Sequence, residues 1–551
     1  MIRRARRHEA DPLRTVAIGA LAVLAALACI AFASPAAAAP APPSTPSTPA
    51  TRPAADAAPR YGLVLQDAAP LRSGPKSGGA PLAALGQGAL VEIRGTRMDY
   101  LQVWDTARER GGYVRASSVR PLSLTPDEAP ELLAVVRFLK DRPGSEALGL
   151  GFAAAYLRAA PAGSLGAEAF DALGTMAERL AWRANVAGAK AANLPTAPGE
   201  PAIAAQLQVA ADLGIHFDAL ERDGGVRLCY DGDAFRHVFA LSPTPEQQAR
   251  AALALTRPDC QPTMLAPMLR WQADQGRAAT LARVAQRDLA PYWRNRLRMR
   301  EAGVWAALAF EDSRRLVVEA GAAPPAGLPA VTADDVLRAG NAALAALAAV
   351  DKSELADDDQ STYADAAMRV GASRWAAEAA PVAASAAPAA LGVVTQPGQP
   401  GETCVLLVDA KHPGASPLAR RCTYGTVWAA SARANARGDA LALAVQPLAG
   451  WRELWVFRRG ADGWAAQVLP PAADPAELGY VEFAGWVPAT AHLLVAREVR
   501  DPQHAARTLR SYELVDPATL ATLHQAASPA GLSPFQRWQD PGWKRVTVSL
   551  R

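Results

Sequence analysis

The stretch APLRSGPKSGGAPLAALGQGALVEIRGTRMDYLQVWD, residues 69–105, alternates apolar with polar residues between glycine-rich turns. Alternation of period two over short segments predicts β-strands with one buried face. Similar segments flank it, YGLVLQ at 61–66 and GGYVRASSVRPL at 111–122. Short strands at this density predict a small β-barrel over residues 60–123.

The bulk composition describes a globular protein with several domains. The chain has 551 residues, of which 50% are hydrophobic and 20% are charged, which is enough for more than one core. Its net charge of +4 is small for this length. A dedicated nucleic-acid binder would concentrate basic charge on one face, so no nucleic-acid partner is expected.

The N-terminus carries the pattern of an export signal. Residues 1–14 are basic, residues 15–33 are almost entirely apolar, and small residues follow to position 38. This order is typical of a secretory signal peptide. The apolar run is also long enough to cross a bilayer, so a single N-terminal membrane anchor is the alternative. In both cases the rest of the chain is expected outside the cytoplasm, in the periplasm or another extracytoplasmic space, because the arginines stay inside.

A helical region is expected after the barrel. Thr125-Pro126-Asp127-Glu128 and Thr244-Pro245-Glu246-Gln247 both have the spacing of a capping box with proline at the first helical position. Between helical segments, GGVRLCYDGDAFRHVFAL breaks the helical period, which predicts a small β insertion. Its Tyr230–Asp233 segment is expected to form a hairpin turn, with Asp233 as the following helix cap.

The C-terminal region is rich in strand patterns. GDALALAV followed by WRELWVFRRGADGW resembles ATAHLLVAREV followed by RTLRSYELVDPATLATLHQ. The two units resemble blades of a β-propeller of the TolB or WD40 kind. Two blades do not close a propeller, so a twisted sandwich of hairpins is the alternative. The closing SPFQRWQDPGWKR is expected to be a terminal strand or a clasp over a sheet edge.

These patterns predict a multidomain α+β fold with a small β-barrel, an α-helical middle domain with a short β insertion, and a C-terminal antiparallel β domain. The expected boundaries are a signal or anchor at 1–38, a Pro/Ala-rich linker at 39–59, the barrel at 60–123, the helical domain at 124–378, a second linker at 379–402 and the β domain at 403–551.

The cysteines predict disulfides. Outside the signal, the chain has Cys229, Cys260, Cys404 and Cys422, an even number in an oxidising compartment. Four cysteines allow three pairings, and Cys229–Cys260 with Cys404–Cys422 keeps each bridge within one domain. The chain has no C-x-x-C motif and no histidine at ligand spacing from these thiols, so no metal site is expected.

Within the barrel, four segments resemble the bacterial SH3 (SH3b) family in order and spacing. They are LRSGP at Leu71–Pro75, LGQGALVEIRG at Leu85–Gly95, YLQVW at Tyr100–Trp104 and GGYVRASSVRPL at Gly111–Leu122. Three positions depart from the family pattern, because Pro70, Tyr100 and Tyr113 stand where asparagine and two tryptophans are usual. Members that bind cell-wall peptides use aromatic grooves. The resemblance therefore implies ligand binding at Arg72, Tyr100, Trp104 and Tyr113, and a spacer barrel without a ligand is the alternative.

No catalytic motif accompanies these features. GLGFAA at 149–154 fits a dinucleotide-binding pattern formally, but its context favours a turn into a helix. RNRLRMR at 294–300 is basic, yet alternate arginines on a helix point to different faces. A solvated, partly ion-paired helix is favoured there, with an acidic partner such as a wall polymer or lipid headgroup as the alternative.

We therefore expect an exported, non-enzymatic envelope protein whose barrel binds cell-wall peptide or an envelope protein, without a cofactor. One alternative is a wall-active hydrolase that the barrel targets. Another is a structural adaptor that binds partners through its C-terminal β domain. The sequence leaves the oligomeric state open.

Overall fold

The computed structural model describes residues 60–543 except 79, 194–199, 223–224, 320–328, 379–389, 474–477, 491 and 502–506. The expected signal or anchor and the linker at 39–59 lie outside the described residues. The described residues all belong to one compact unit of mixed α and β structure. Within the described part of the chain, no helix has both the length and the apolar composition that crossing a membrane requires.

The N-terminal β unit, residues 60–122, contains seven short strands. They are β1 (Arg60–Val64), β2 (Ala69–Leu71), β3 (Ala83–Leu85), β4 (Leu90–Arg97), β5 (Tyr100–Asp105), β6 (Arg110–Arg115) and β7 (Val119–Leu122). Five of them form an antiparallel sheet in the order β6-β5-β4-β1-β7, and β2 pairs with β3. Inward residues such as Val91, Leu101, Val103 and Val114 form its own small core. The alternation in the sequence thus gives the sheet one face that packs on this core and one face that points away from it.

The middle of the chain is helical, as expected. Its helices are α1 (Ala129–Lys140), α2 (Glu146–Ala159), α3 (Ala167–Asn193), α4 (Glu200–Asp212), α5 (Asp233–Ala240), α6 (Pro245–Leu255), α7 (Pro267–Ala282), α8 (Pro291–Val318), α9 (Ala333–Ala348) and α10 (Gln360–Ser373). The helix α2 contains GLGFAA, as its context predicted. The helices share a hydrophobic core with the N-terminal β unit, because Leu63 and Leu122 pack among residues of α1, α2 and α3.

One of the two expected capping boxes forms. Thr244 accepts a hydrogen bond from the Gln247 backbone N–H, and the Gln247 side chain accepts from the Thr244 N–H. The prediction at Thr125 is wrong. There Glu128 turns back to accept hydrogen bonds from the backbone N–H groups of Ser123 and Leu124, both at 2.9 Å, and α1 begins only at Ala129.

The expected β insertion is a hairpin of β8 (Phe217–Arg222) and β9 (Gly225–Tyr230). Its turn lies between these strands, so the prediction of a hairpin turn at Tyr230–Asp233 is wrong. That segment instead leads into α5, where Gly232 occupies the cap position with φ of 82°. Asp231 accepts a hydrogen bond from the Asp233 backbone N–H at 2.9 Å. Asp231, and not Asp233, therefore supports the helix start.

The C-terminal region is built from strands that, apart from one parallel pair, run antiparallel to their neighbours. They are β10 (Gly392–Pro397), β11 (Thr403–Val408), β12 (Ala419–Thr423), β13 (Thr426–Val427), β14 (Arg433–Ala434), β15 (Ala440–Leu448), β16 (Trp451–Gly460), β17 (Gly463–Leu469), β18 (Gly479–Trp486), β19 (Leu493–Arg500), β20 (Thr508–Val515) and β21 (Thr522–Ala526). The strands β10, β11 and β12 form one sheet, and β13 to β21 form a large second sheet. Because β10 pairs with β11, the expected linker at 379–402 ends before Gly392.

The large sheet consists of two meanders, β15–β17 and β18–β21, with the short strands β13 and β14 paired to β15. The meanders join where β16 and β18 run parallel over two residue pairs, Trp451 with Gly479 and Arg452 with Tyr480. The two sequence units noted above correspond to β15–β17 and β19–β21. Trp428 and Ala444 share a core with α7, α8 and α9, so this region also packs directly on the helices.

The C-terminal segment forms a clasp, but as a helix and not as a strand. The helix α11 (Ser533–Trp538) places Phe535 in a core with Trp543 and residues of β18, β19 and β20. The Asp540 backbone N–H donates a hydrogen bond to the Ala484 carbonyl at 2.7 Å. The clasp thus covers the end of β18.

Candidate functional site

The expected ligand-binding residues are placed by the register of β5 and β6. Leu101 pairs with Val114 and faces the core, so the neighbours Tyr100 and Gln102 face outward. Gln102 pairs with Tyr113, and residues directly opposite each other lie on the same face of a sheet. Tyr100, Trp104 and Tyr113 therefore share the outer face of β5 and β6, which we call the aromatic face.

Trp104 is the centre of a charged contact on this face. The Arg94 guanidinium carbon lies 4.4 Å from the centroid of a Trp104 ring. Arg94 also donates to the Glu92 carboxylate at 3.1 Å, and Glu92 pairs with Trp104 across β4 and β5. A cation over an indole ring is attracted by the electron density of that ring. Trp104 is half-buried, so one part of its ring remains accessible.

Two glycines on β6 make room for this arrangement. A Cβ on Gly111 would lie 3.2 Å from the Trp104 ring, which rests over that position. A Cβ on Gly112 would lie 2.8 Å from the Arg72 carbonyl oxygen. The GGY sequence therefore lets Trp104 lie flat on one side of β6 and lets the backbone of β2 approach on the other.

Arg72 is joined to Tyr113 through the backbone. Their main chains exchange two hydrogen bonds, of 2.9 Å and 2.8 Å, in an isolated bridge just beyond β2. Both residues are half-buried. The structure thus brings Arg72 beside Tyr113. Tyr113 itself lies diagonally across from Trp104 on the neighbouring strand.

Tyr100 differs from the other aromatic residues because it is only 3% exposed. The Arg115 guanidinium carbon lies 5.8 Å from its ring centroid, and Arg115 pairs with Tyr100 across β5 and β6. Its hydroxyl is buried with no hydrogen-bond partner among the described residues. Tyr100 is therefore the buried member of the aromatic face, and its cross-strand partner Arg115 is exposed.

The sequence had not singled out Arg94 and Arg115. Their signal lies in cross-strand pairing, because a basic residue near an outward aromatic residue on the next strand is placed over its ring. The position of Arg94 also depends on the bulge between Ile93 and Gly95 in β4, which the sequence pattern does not show. The face so formed offers indole and phenol surfaces beside guanidinium donors. It is suited to bind a ligand that has both apolar groups and carboxylates.

Both predicted disulfides are confirmed. Cys229–Cys260 joins β9 to the segment after α6, and Cys404–Cys422 joins the paired strands β11 and β12. In the described residues, the one cluster with metal-ligand spacing is Glu402 with Cys404 and Cys422. Its two sulfurs are joined in the disulfide and are not available as thiolate ligands. Two disulfides fit an oxidising compartment outside the cytoplasm.

A half-buried ion network lies beside the first disulfide. Asp259, next to Cys260, accepts hydrogen bonds from Arg257 and from Arg227. Burial alone raises the pKa of Asp259, but its hydrogen bonds with Arg257 and the charges of both arginines bring the pKa down to about 2. These ion pairs join Arg227 of β9 to the segment that follows α6, across the same gap as the disulfide.

The arginines of residues 294–300 point in different directions, as expected. Arg296 donates to Asp359 and Arg300 donates to the Leu253 carbonyl at 2.8 Å. Burial lowers the pKa of Arg300 to about 9. Arg294 and Arg298 line a separate open recess. The segment therefore forms no continuous basic stripe.

Comparisons with protein families, curated proteins and solved structures find no match for this chain.

Proposed function

We propose that this chain is an exported, non-enzymatic envelope protein that binds cell-wall peptide or an envelope protein through the aromatic face. The observation that carries the proposal is the convergence of Trp104 and Tyr113 on one outer face, beside Arg94 and Arg115. Trp104 and Tyr113 also lie in segments that resemble the SH3b pattern, and that resemblance implies a common role in ligand binding.

The chemistry of the face suits a peptide ligand with free carboxylates. Guanidinium groups bind carboxylates through strong charge-assisted hydrogen bonds. Indole and phenol rings can cover the aliphatic parts of such a ligand, and these rigid side chains lose little conformational entropy on binding. Arg94 is already oriented by Glu92 and Trp104, so it loses less freedom when a ligand binds.

The context supports an extracytoplasmic role. The basic and apolar order of residues 1–38 is typical of export, and the two disulfides fit an oxidising compartment. The N-terminal β unit shares its core with the helices through Leu63 and Leu122. Binding is therefore best measured on the chain from residue 39 to residue 551 and not on an isolated barrel.

The test is co-sedimentation of this chain with purified peptidoglycan sacculi. The variants Trp104→Ala and Tyr113→Ala should each weaken binding about tenfold, since truncating a central aromatic contact removes roughly 1–2 kcal/mol of binding free energy. Trp182→Ala is the matched control, because Trp182 lies on α3 and is 57% exposed. Circular dichroism checks that each variant is folded.

Unchanged sedimentation of both aromatic-face variants would refute the binding role. Retention of the wild-type chain by envelope protein extracts but not by sacculi, lost in the same variants, would assign the face to a protein partner. Release of soluble wall fragments by the wild-type chain would contradict the non-enzymatic part and favour the hydrolase alternative.

A further inference from the structure

A cleft of about 360 Å³ lies in the C-terminal region, far along the chain from the aromatic face. Three segments meet there: residues 433–437, residues 483–488 at the end of β18, and residues 537–541 of the clasp. This volume is at the lower end of the range for small-molecule sites, which is roughly 300–1,000 Å³. The cleft therefore has room for a short ligand.

The walls of the cleft are held together by direct contacts. The Trp486 indole N–H donates to the Arg433 carbonyl at 3.1 Å, which fixes the first segment to the second. Gly485 has φ of 151°, and a Cβ there would lie 2.4 Å from the Trp538 carbonyl oxygen. Glycine thus permits close contact between β18 and the clasp. The site is formed before any ligand arrives.

The floor is made of flat, rigid apolar groups. Phe483 and Trp486 lie on β18, Trp538 lies on the clasp, and Pro488 and Pro541 complete the lining. Trp538 is 38% exposed, so its ring is open to a ligand. Aromatic faces are electron-rich and attract the positively polarised C–H groups on the face of a sugar ring. Flat surfaces of this kind suit a ring better than an extended side chain.

The lining is also basic, because it includes three arginines and one aspartate: Arg433, Arg437, Arg537 and Asp540. The Arg433 guanidinium donates to the Ala430 and Ala432 carbonyls, at 2.9 Å and 2.8 Å. The Asp540 carboxylate accepts backbone N–H groups of the residues two and three positions further on. Arg437 is paired with Asp439 at 3.1 Å. Among the described residues, Arg537 has no hydrogen bond or ion pair and only lies over the Trp538 ring at 5.4 Å.

We propose that this cleft binds a short acidic saccharide, with a sugar ring against Trp538 and a carboxylate on Arg537. Charge complementarity favours an anion, since the three arginines outnumber the two carboxylates beside them, Asp540 and Asp439. The Gln539 side chain, also in the lining, can both donate to and accept from sugar hydroxyls. The proposal is independent of the aromatic face and adds a second recognition site to the chain.

The test uses the chain from residue 39 to residue 551 and a disaccharide of glucuronic acid, with the matched neutral glucose disaccharide as a comparison. Saturation-transfer NMR and calorimetric titration should show the acidic sugar binding at least about tenfold more tightly than the neutral one, as expected for a charge-assisted hydrogen bond. Arg537→Gln should remove this preference, and Trp538→Ala should weaken binding of both sugars.

Arg158→Gln is the control, because it removes an exposed arginine of α2 outside the cleft. Trp104→Ala should leave sugar binding unchanged, which separates this site from the aromatic face. Equal binding of both sugars would overturn the role of Arg537. Absence of binding by the folded wild-type chain, or tighter binding of an acidic dipeptide in the same cleft, would overturn the assignment to a saccharide.

Discussion

The buried cluster of Arg374, Arg452 and Glu482 gives the sharpest test of how the helices and the large sheet are joined. Arg374 follows α10, whereas Arg452 lies on β16 and Glu482 on β18. Arg374 donates to Glu482 at 2.9 Å, and Arg452 donates to the same carboxylate. Arg452 is fully buried and Glu482 is 4% exposed. One carboxylate therefore neutralises part of two buried positive charges.

Replacing Glu482 by glutamine removes the only negative charge of this cluster. Two buried guanidinium groups then lose the carboxylate that both of them contact, and loss of one partner of a buried ion pair costs about 3–5 kcal/mol. We expect Glu482→Gln to lower the free energy of unfolding by this amount at pH 7. Urea titration followed by tryptophan fluorescence and by circular dichroism measures the loss, with exposed Glu221→Gln as the control.

A triple variant distinguishes a lost charge from lost packing. In Arg374→Met/Arg452→Met/Glu482→Leu the volume is largely kept and the burial of charge is avoided, so stability should return to within about 1–2 kcal/mol of the wild type. If the triple variant is as unstable as Glu482→Gln, or if Glu482→Gln costs less than about 1 kcal/mol, the charge argument is wrong.

The same cluster predicts a dependence on pH. Burial alone raises the pKa of Glu482, but the charges of Arg374 and Arg452 bring it below its usual value of 4.5. A carboxyl whose pKa is lowered by folding stabilises the fold above the pKa of the unfolded chain, and this contribution is lost as the pH falls through the folded pKa. The stability difference between the wild type and Glu482→Gln should therefore narrow below pH 4.5.

Two other predictions concern the helical region. Replacing Cys229 and Cys260 by alanine removes a disulfide that spans 31 residues, and it should lower the free energy of unfolding by about 3–4 kcal/mol. An unchanged urea midpoint would contradict this, and so would a loss of stability on adding dithiothreitol as large in the variant as in the wild type. Thr244→Ala should lower the free energy of unfolding by about 1 kcal/mol in the same assay, because it removes the capping box. The Thr125 hydroxyl contacts only Ser123, at 3.1 Å, so Thr125→Ala should change the free energy of unfolding by less than about 0.5 kcal/mol. Equal effects of the two threonine variants would refute the assignment of the cap.

Local patterns predicted the elements whose causes are local. The alternation around Leu101 and Val103 follows directly from one buried face, and the Thr244 box satisfies backbone groups within four residues. The cysteine pairings were also predicted, because each bridge closes a short loop within one region. In each case the interacting groups are close in sequence, or their chemistry allows few partners.

Where tertiary contacts decide, the same patterns fail. Thr125 and Thr244 begin nearly identical motifs, but Leu124 has φ of 52°, which turns the preceding chain so that Glu128 binds it instead. The strand Gly392–Pro397 lies in a segment of linker-like composition and exists because β11 supplies its partner. Arg452 alternates normally within β16, and nothing near it in sequence indicates that Glu482 lies against it.

The candidate site depends both on local sequence patterns and on tertiary contacts. The period of β5 and β6 turns Trp104 and Tyr113 away from the core, and the register between the two strands brings them to one face. The availability of that face depends on how the N-terminal β unit is anchored. The helices pack on β1 and β7 through Leu63 and Leu122, and a Cβ on Gly88 would lie 2.0 Å from the Ala147 carbonyl oxygen of α2. The contacts of Leu63, Leu122 and Gly88 lie away from Trp104 and Tyr113, which are half-buried and partly open to solvent, so a partner can reach these two residues without disturbing the fold.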